Sequence, residues 1–388
     1  MATSPVLFLS AHRSVRGQGV FERISTPAQG GALQRDVTAA LRRARDAGIA
    51  DPIAIGAIPF DTARPSALIV PERSEIFSRE TVPFAVNDGA VLPPIVASHS
   101  IPGEERFKQG VRQAVANFGL SDIRKAVLSR VLEVELAGRA DPGRLFASLA
   151  AQNPTGYQFR VPLADGAELV GVSPELLLRK EGATIVSNPL AGSARRQPDS
   201  DSDAAAAGAL LHSPKDLREH RYVTDDIRRL LLPLCATLDV PQGPSLLSTN
   251  AMWHLSTRIE GTLRQPEMSA LELACILHPT PAVCGYPTRL ARKLIDLVEP
   301  FERGLFAGIV GWVDADGNGE WAVTIRCGTV QGNTLRLFAG AGIVADSCPD
   351  AEWAETQGKL GTMLRALGAG APVSVAPGVS PAVAAEAA

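Results

Sequence analysis

Two spacings of apolar residues alternate along the chain. RDVTAALRRARDAG (35–48), EERFKQGVRQAVANFG (104–119) and PGRLFASLAAQNP (142–154) repeat apolar residues three and four apart and stop on Gly or Asn-Pro, which predicts helices. Further helices are expected over 199–212, over SPKDLREHRYVTDDIRRLLLPL (213–234, Ser213 as N-cap and Pro214 in the first turn), over MSALELACILHP and PTRLARKLIDLVEP, and over AEWAETQGKLGTMLRAL (351–367). Apolar runs rich in β-branched residues predict strands at DPIAIGAIPF (51–60), IRKAVLSRVLEVEL (123–136), YQFRVPL, AELVGVS, ELLLRKEG, ATIVSNPL and MWHLSTRIEGTLR. Three late strands follow: GLFAGIVGWVD, WAVTIRCGTVQ and TLRLFAGAGIV. Turn residues between the strands suit antiparallel meanders rather than βαβ units, so the fold class is α+β with large antiparallel sheets. Residues 1–30 and the Pro-rich 61–103 show no clear pattern, and no internal repeat is found.

The 388 residues, 45% hydrophobic and 20% charged, supply ample material for a large core and exclude wholesale disorder. A net charge of −3, without a long single-sign run, argues against nucleic acid or an anionic membrane as partner. Five cysteines without C-x-x-C point away from a disulfide framework or thiolate zinc and toward a reducing, cytoplasmic compartment. The N-terminal segment lacks the design of a secretory signal, and no apolar run reaches membrane-spanning length.

Two motifs invite chemistry that their context denies. Asp314, Asp316, Asn318 and Gly319 begin like a calcium loop, but the twelfth position is Ile325 where a bidentate Glu is needed, so a hairpin turn is expected. Gly340, Gly342 and Ala345 match a dinucleotide fingerprint without the helix and βαβ unit it requires. Their better use is close backbone approach, with amides turned toward an anion. The scattered histidines, Glu219–His220 included, do not form a catalytic zinc pattern.

In the last helix Glu352, Glu355 and Lys359 share one stripe. It reads either as a solvated face with a Glu355–Lys359 salt bridge or as a pair of carboxylates able to hold Mg²⁺ beside the Gly-rich strand end. Glu219, in the 213–234 helix, is a third acidic candidate that would pass for surface if taken alone. Lys125 opens a strand, where a desolvated amine becomes a candidate general base. Arg326, inside an apolar run, either pairs a buried acid or holds an anionic ligand. Glu175, after Ser-Pro, is placed to be a carboxyl with a raised pKa.

Seven stretches together resemble the chorismate-utilising enzyme family: KAVLSR (125–130), GVSPELLLRK (171–180), NPLAGSARR (188–196), KDLREHRYV (215–223), HPTPAVCGYP (278–287), WAVTIRCG (321–328) and AGAGIVADSCPDAEWAETQGKL (339–360). The resemblance implies large antiparallel sheets packed as a sandwich and flanked by helices. It implies a single catalytic domain over 1–367, best matched over 104–367, with a low-complexity, disordered tail over 368–388. Within the family the chain is most similar to isochorismate synthases of the siderophore-pathway type, which implies a Mg²⁺-dependent conversion of chorismate to isochorismate by a monomer. Lys125 would then activate water for attack at C2, and Glu175 would protonate the departing C4 hydroxyl. Glu219 and Glu355 would ligate Mg²⁺, with Glu352 nearby. Arg326, Lys359 and the Gly340 amide would hold the pyruvyl carboxylate, while Gly192, Ser193 and His254 line the ring. Lys125 favours water over an amine as nucleophile, and Ala282, where salicylate synthases resemble HPS-x-T, favours stopping at isochorismate.

Overall fold

The computed structural model describes residues 4–79 and 92–368, so all but the first residue of the expected tail lies outside the described residues. In chain order the elements begin β1 (Val6–Leu9), β2 (Ser14–Gln18), β3 (Glu22–Ile24), α1 (Ala32–Asp46), β4 (Ile53–Ile58), β5 (Ala67–Val70), β6 (Arg73–Phe77), β7 (Ile95–Ile101), α2 (Glu104–Phe118) and β8 (Lys125–Leu136). Next come α3 (Pro142–Gln152), β9 (Tyr157–Pro162), β10 (Glu168–Ser173), β11 (Leu176–Glu181), β12 (Thr184–Asn188), β13 (Leu190–Arg195), α4 (Ser200–Leu211), α5 (Pro214–Leu231), β14 (Cys235–Asp239) and β15 (Ser245–Ser248). The last are β16 (Met252–Ser256), β17 (Ile259–Leu263), α6 (Ala270–Leu277), β18 (Gly285–Tyr286), α7 (Thr288–Val298), β19 (Ile309–Asp314), β20 (Gly319–Val323), β21 (Cys327–Gln331), β22 (Thr334–Ile343) and α8 (Pro349–Ala366).

The strands form two large antiparallel sheets and a small one, in agreement with the expected class. The first sheet runs β18-β8-β22-β21-β10-β9-β1-β2-β6, with β7 also on β8; the second runs β14-β17-β12-β11-β20-β19-β4-β5-β3; the third is β13-β16-β15. The main core lies between the two large sheets, where Phe8 and Phe159 meet Ile55, Trp312 and Trp321. Burial on both faces explains why β4 is apolar at all six positions rather than alternating. A second core, with Leu145, Leu149, Leu337, Leu360 and Met363, seats α3 and α8 on the outer face of the first sheet. The N-cap read at Ser213 is present, and Asp141 caps α3 in the same way. The Ser213 hydroxyl accepts from the Asp216 amide, and Asp141 accepts from the Gly143 and Arg144 amides. No helix among the described residues is long and apolar enough to cross a membrane.

Several runs depart from expectation. Residues 1–30 hold β1–β3 and residues 61–103 hold β5–β7; several of these strands are short, and β6 is largely exposed, so they carry little alternation. The weakly apolar β14 and β15 also escaped notice. MWHLSTRIEGTLR and WAVTIRCGTVQ each read as one strand but are two, because the chain changes sheet at Thr257–Arg258 and at Thr324–Arg326.

Candidate active site

Those changes of sheet build the site. β10 belongs to the first sheet and β11 to the second, with Pro174–Glu175 between them; β20 and β21 make the return step through Thr324–Arg326. The two steps are tied together, since the Val323 amide donates to the Glu175 carbonyl (3.2 Å) and the Val172 amide to the Arg326 carbonyl (3.1 Å). Glu175 and Arg326 therefore stand side by side where the ladders diverge. Proline before Glu175 favours the extended turn, and Arg326 accepts φ +51°, a conformation rare for a side-chain-bearing residue. Arg326 thus lies between strands rather than within one. No acid lies within ion-pair distance of its guanidinium among the described residues, so it faces the cavity. Burial lowers its pKa to about 10, opposed by Glu355 and Glu175.

Burial raises the Glu175 carboxyl to about 7, against the Leu190 amide that donates to it (3.4 Å) and the charges of Lys125, Arg326 and Lys359. Lys125, fully buried at the start of β8, has its Nζ 3.1 Å from Oε1 of Glu219. The cavity wall includes Glu219 but not Lys125, which lies behind that carboxylate. Glu219 is buried, not at the surface. Its helix is pinned next door, where the His220 Nδ1–H donates to the Ala191 carbonyl (3.1 Å) and Nε2 accepts from the Thr257 hydroxyl (2.7 Å). Ala191 lies on β13 of the third sheet, and Thr257 directly follows β16. On β22, Gly342 leaves the room this pair needs, because a Cβ there would lie 2.1 Å from Glu219 Oε1.

The stripe on α8 faces inward. Glu355 accepts from Lys359 Nζ (2.6 Å) and from the Ser193 hydroxyl (3.0 Å). Burial opposes its ionisation, but Lys359 and Lys215 outweigh that and hold the carboxyl low. Lys359 also donates to the Gly340 carbonyl (2.7 Å). Glu352 is fully buried one turn away, with Oε1 on Lys215 Nζ (2.7 Å) and Oε2 without a partner. Burial first, then Glu355, raises it to about 7. On its far side α8 is anchored by Arg130, whose guanidinium lies 3.8 Å over Trp353 and donates to Thr356 (2.8 Å). Gly192 (φ +80°), Ser193, His254 and Ala282 complete the wall. Burial, with Arg326 and Lys359 nearby, holds His254 well below its usual range, so its ring is neutral at pH 7.

The arrangement offers the cations of Arg326 and Lys359, a buried carboxyl raised to about 7, an enclosed amine and carboxylates from two helices, which suits a small anionic ligand. Comparison with known proteins agrees. The family described as chorismate binding enzyme matches residues 81–368. The chain belongs to the chorismate binding enzymes. It is 44% identical over 375 residues to the isochorismate synthase EntC of Escherichia coli K12, covering 95% of this chain and 96% of that one. It is 42% identical to the isochorismate synthase DhbC of Bacillus subtilis, covering 92% of each. A crystal structure of a putative 2,3-dihydroxybenzoate-specific isochorismate synthase, DhbC from Bacillus anthracis, superposes with a TM-score of 0.89 at 44% identity, covering 94% of this chain and 96% of that one.

Of the residues singled out in this chorismate binding enzyme, Glu175, Gly192, Ser193, Glu219, His254, Ala282, Arg326, Gly340, Glu355 and Lys359 line one cavity, while Lys125 and Glu352 are enclosed directly behind it. Sequence reasoning missed Lys215 and the stacked Phe306 and Phe338 (centroids 5.0 Å apart) of the wall. Lys215 stands four residues before Glu219 on the same helical face, a spacing that could have flagged it; the phenylalanines leave no such trace. The Asp314 turn is a hairpin, its carboxylate accepting from the Asp316 (3.0 Å) and Asn318 (2.8 Å) amides. Gly340 and Gly342 sit inside β22, not at a helix start.

Proposed function

We propose that this chain is an isochorismate synthase supplying a siderophore pathway: it converts chorismate to isochorismate by adding water at C2 with loss of the C4 hydroxyl. The observation that carries the reading is the placement of two buried groups at one cavity: Glu175, in the step between β10 and β11, lines it beside the cations Arg326 and Lys359, and Lys125, at the start of β8, is enclosed behind its wall. As oxygen bonds to C2, Lys125 takes the proton from water. The two ring double bonds shift, and Glu175 gives its proton to the C4 oxygen, which leaves as water. Each group ends in the other's starting state, as a reversible isomerisation needs. The base role requires the Lys125–Glu219 pair to part. Arg326 and Lys359 hold the pyruvyl carboxylate beside the Gly340 amide, while Gly192, Ser193 and His254 shape the ring pocket.

The donor set fits Mg²⁺. Glu219, Glu352 and Glu355 come from two helices, and Oε2 of Glu352 is a buried oxygen without a hydrogen-bond partner, open to a cation. Among the described residues no three acidic, histidine or cysteine side chains form a group able to hold a metal on their own, so waters and substrate oxygens would have to complete the shell of a bound Mg²⁺. When bound, Mg²⁺ would neutralise the ring carboxylate. The EntC, DhbC and vibriobactin-specific relatives, by their names, are isochorismate synthases and support the assignment.

The test is product analysis of the purified protein with chorismate, with and without Mg²⁺. Isochorismate formed only with the metal is expected. Salicylate plus pyruvate, or anthranilate with added ammonia, would overturn the reading.

A further inference from the structure

One buried ion pair stands outside the site just described. Glu299, after α7, and Arg303 are each 3% exposed at the side chain and meet through two bonds: Nε to Oε2 at 2.8 Å and Nη2 to Oε1 at 2.6 Å. Neither touches the groups assigned to catalysis. Their remaining bonds go to backbone. Arg303 donates to the Val127 carbonyl (2.7 Å) and the Val283 carbonyl (2.8 Å), and Glu299 accepts from the Ser129 amide (2.7 Å).

The register of β8 shows what these bonds replace. On one side β8 pairs with β22 along its length. On the other, β18 covers only Lys125 and Ala126, and β7 only Val131–Leu136. On that side residues 127–130 face no strand among the described residues. Their outward groups are met instead by the Cys284 carbonyl, which accepts from the Val127 amide (2.9 Å), and by the Glu299–Arg303 pair. An acceptor and a donor held together thus stand in for two positions of a missing strand. Because Val127 and Ser129 turn their backbone outward, the opposing Gly342 and Gly340 are non-hydrogen-bonded partners, with their own amides turned away from β8. That frees the Gly340 carbonyl for Lys359.

The pair also joins pieces of cavity wall that are otherwise separate. Val127 is two residues beyond Lys125, Val283 adjoins Ala282, and the Arg303 guanidinium lies 4.3 Å over Phe60 and 6.0 Å from Phe306, itself stacked on Phe338. Val127, Ala282, Val283, Phe306 and Phe338 all line the cavity.

We propose that Glu299 and Arg303 are positioning residues that replace a strand beside β8 and so fix the Ala282–Val283 wall and the Phe306 ring relative to Lys125. This rests on the chorismate reading for its kinetic readout. Arg303→Lys keeps the charge and loses the planar fork, so it cannot hold Glu299 and two carbonyls in one geometry. Glu299→Gln keeps an acceptor for the Ser129 amide.

The experiment compares both variants with the parent by thermal melting, chorismate affinity by calorimetry, and steady-state kinetics. For Arg303→Lys, chorismate affinity should fall at least fivefold and kcat at least tenfold in protein that melts cooperatively. Glu299→Gln should recover part of both losses. Unchanged affinity and kcat in both variants would overturn the proposal. So would a loss of kcat that tracks only a smaller folded fraction, with affinity per folded molecule unchanged. If the parent itself makes no isochorismate, the functional reading fails, while calorimetry still decides the role of the pair.

Discussion

A single carboxyl sets the pH behaviour expected of the reaction. Burial holds Glu175 up to about 7, and the acid role proposed for it requires the protonated form, so turnover should decline as pH rises through about 7. Glu175→Gln removes the proton to be given without changing shape. It should lower kcat by about 10²-fold or more, the usual contribution of a general acid, with KM nearly unchanged, and should abolish that pH decline. A pH–rate profile in which the variant keeps parental turnover would remove Glu175 from the mechanism. Arg326 makes a different claim. Its φ of +51° strains lysine as much as arginine, so Arg326→Lys should leave the melting temperature within a few degrees. Loss of the two-pronged carboxylate contact should raise KM for chorismate about tenfold or more; an unchanged KM would place the anion elsewhere. Lys125 and Arg326 were legible from sequence because charge in an apolar run demands a reason, whereas Glu175 stood out by its place after Ser-Pro and Glu355 by its helical spacing. Their convergence was not, since spacing within a strand or helix says nothing of which other element faces it. The α8 stripe shows the limit: its Glu355–Lys359 bridge forms at the expected spacing, yet faces the cavity rather than water.

β22 and α8 act as one frame. The strand must be bare of a side chain at Gly342, where α5 brings Glu219 against it; at Gly340 a Cβ would instead lie 2.6 Å from the Ser129 hydroxyl of β8. An added methyl at Gly342 would fall 2.1 Å from Glu219 Oε1 and 3.1 Å from Lys125 Cε, so one of the two charged groups must move. Gly342→Ala should therefore reduce kcat at least tenfold and lower the melting temperature by several degrees, whereas alanine at the open Gly332 turn meets no atom within 4 Å but is strained by φ +64° and should affect stability alone. Equal kinetics for the two variants would show that the clearance at 342 is not used. Helices and long strands were readable because caps and periodicity are local. The steps between sheets were not: Thr324–Arg326 and Thr257–Arg258 continue an apolar pattern while the backbone changes partners, and partner choice is a long-range property that hydrophobicity alone does not encode.

Between the sheets lies an acid that the reaction does not use. Glu320 on β20 is fully buried between the sheets and accepts from the Ser10 hydroxyl beyond β1 (2.6 Å), so this bond spans from the second sheet to the first. Its other oxygen has no partner, and Arg179 stands 3.9 Å away. Burial raises Glu320 to about 7, opposed by Ser10, Arg179 and Arg13. A carboxyl whose pKa is higher folded than unfolded favours the fold fully below the unfolded value of 4.5. That contribution is lost progressively as pH climbs to the folded value near 7 and stays lost above it. The difference is at most about 3 kcal/mol, taking about 1.4 kcal/mol per pH unit. Ligand-free protein should accordingly melt at lower temperature at pH 7.5 than at pH 5, to which Glu175 contributes in the same sense. Glu320→Gln keeps an oxygen for Ser10 and cannot ionise. It should flatten the dependence, raise stability at pH 7.5 relative to the parent, and leave kcat and KM for chorismate untouched, because Glu320 lies outside the cavity wall. Melting curves from pH 5 to 8 decide the matter: a parental slope in the variant would mean that the acid between the sheets is already ionised at pH 5, with Arg179 sufficient to hold it.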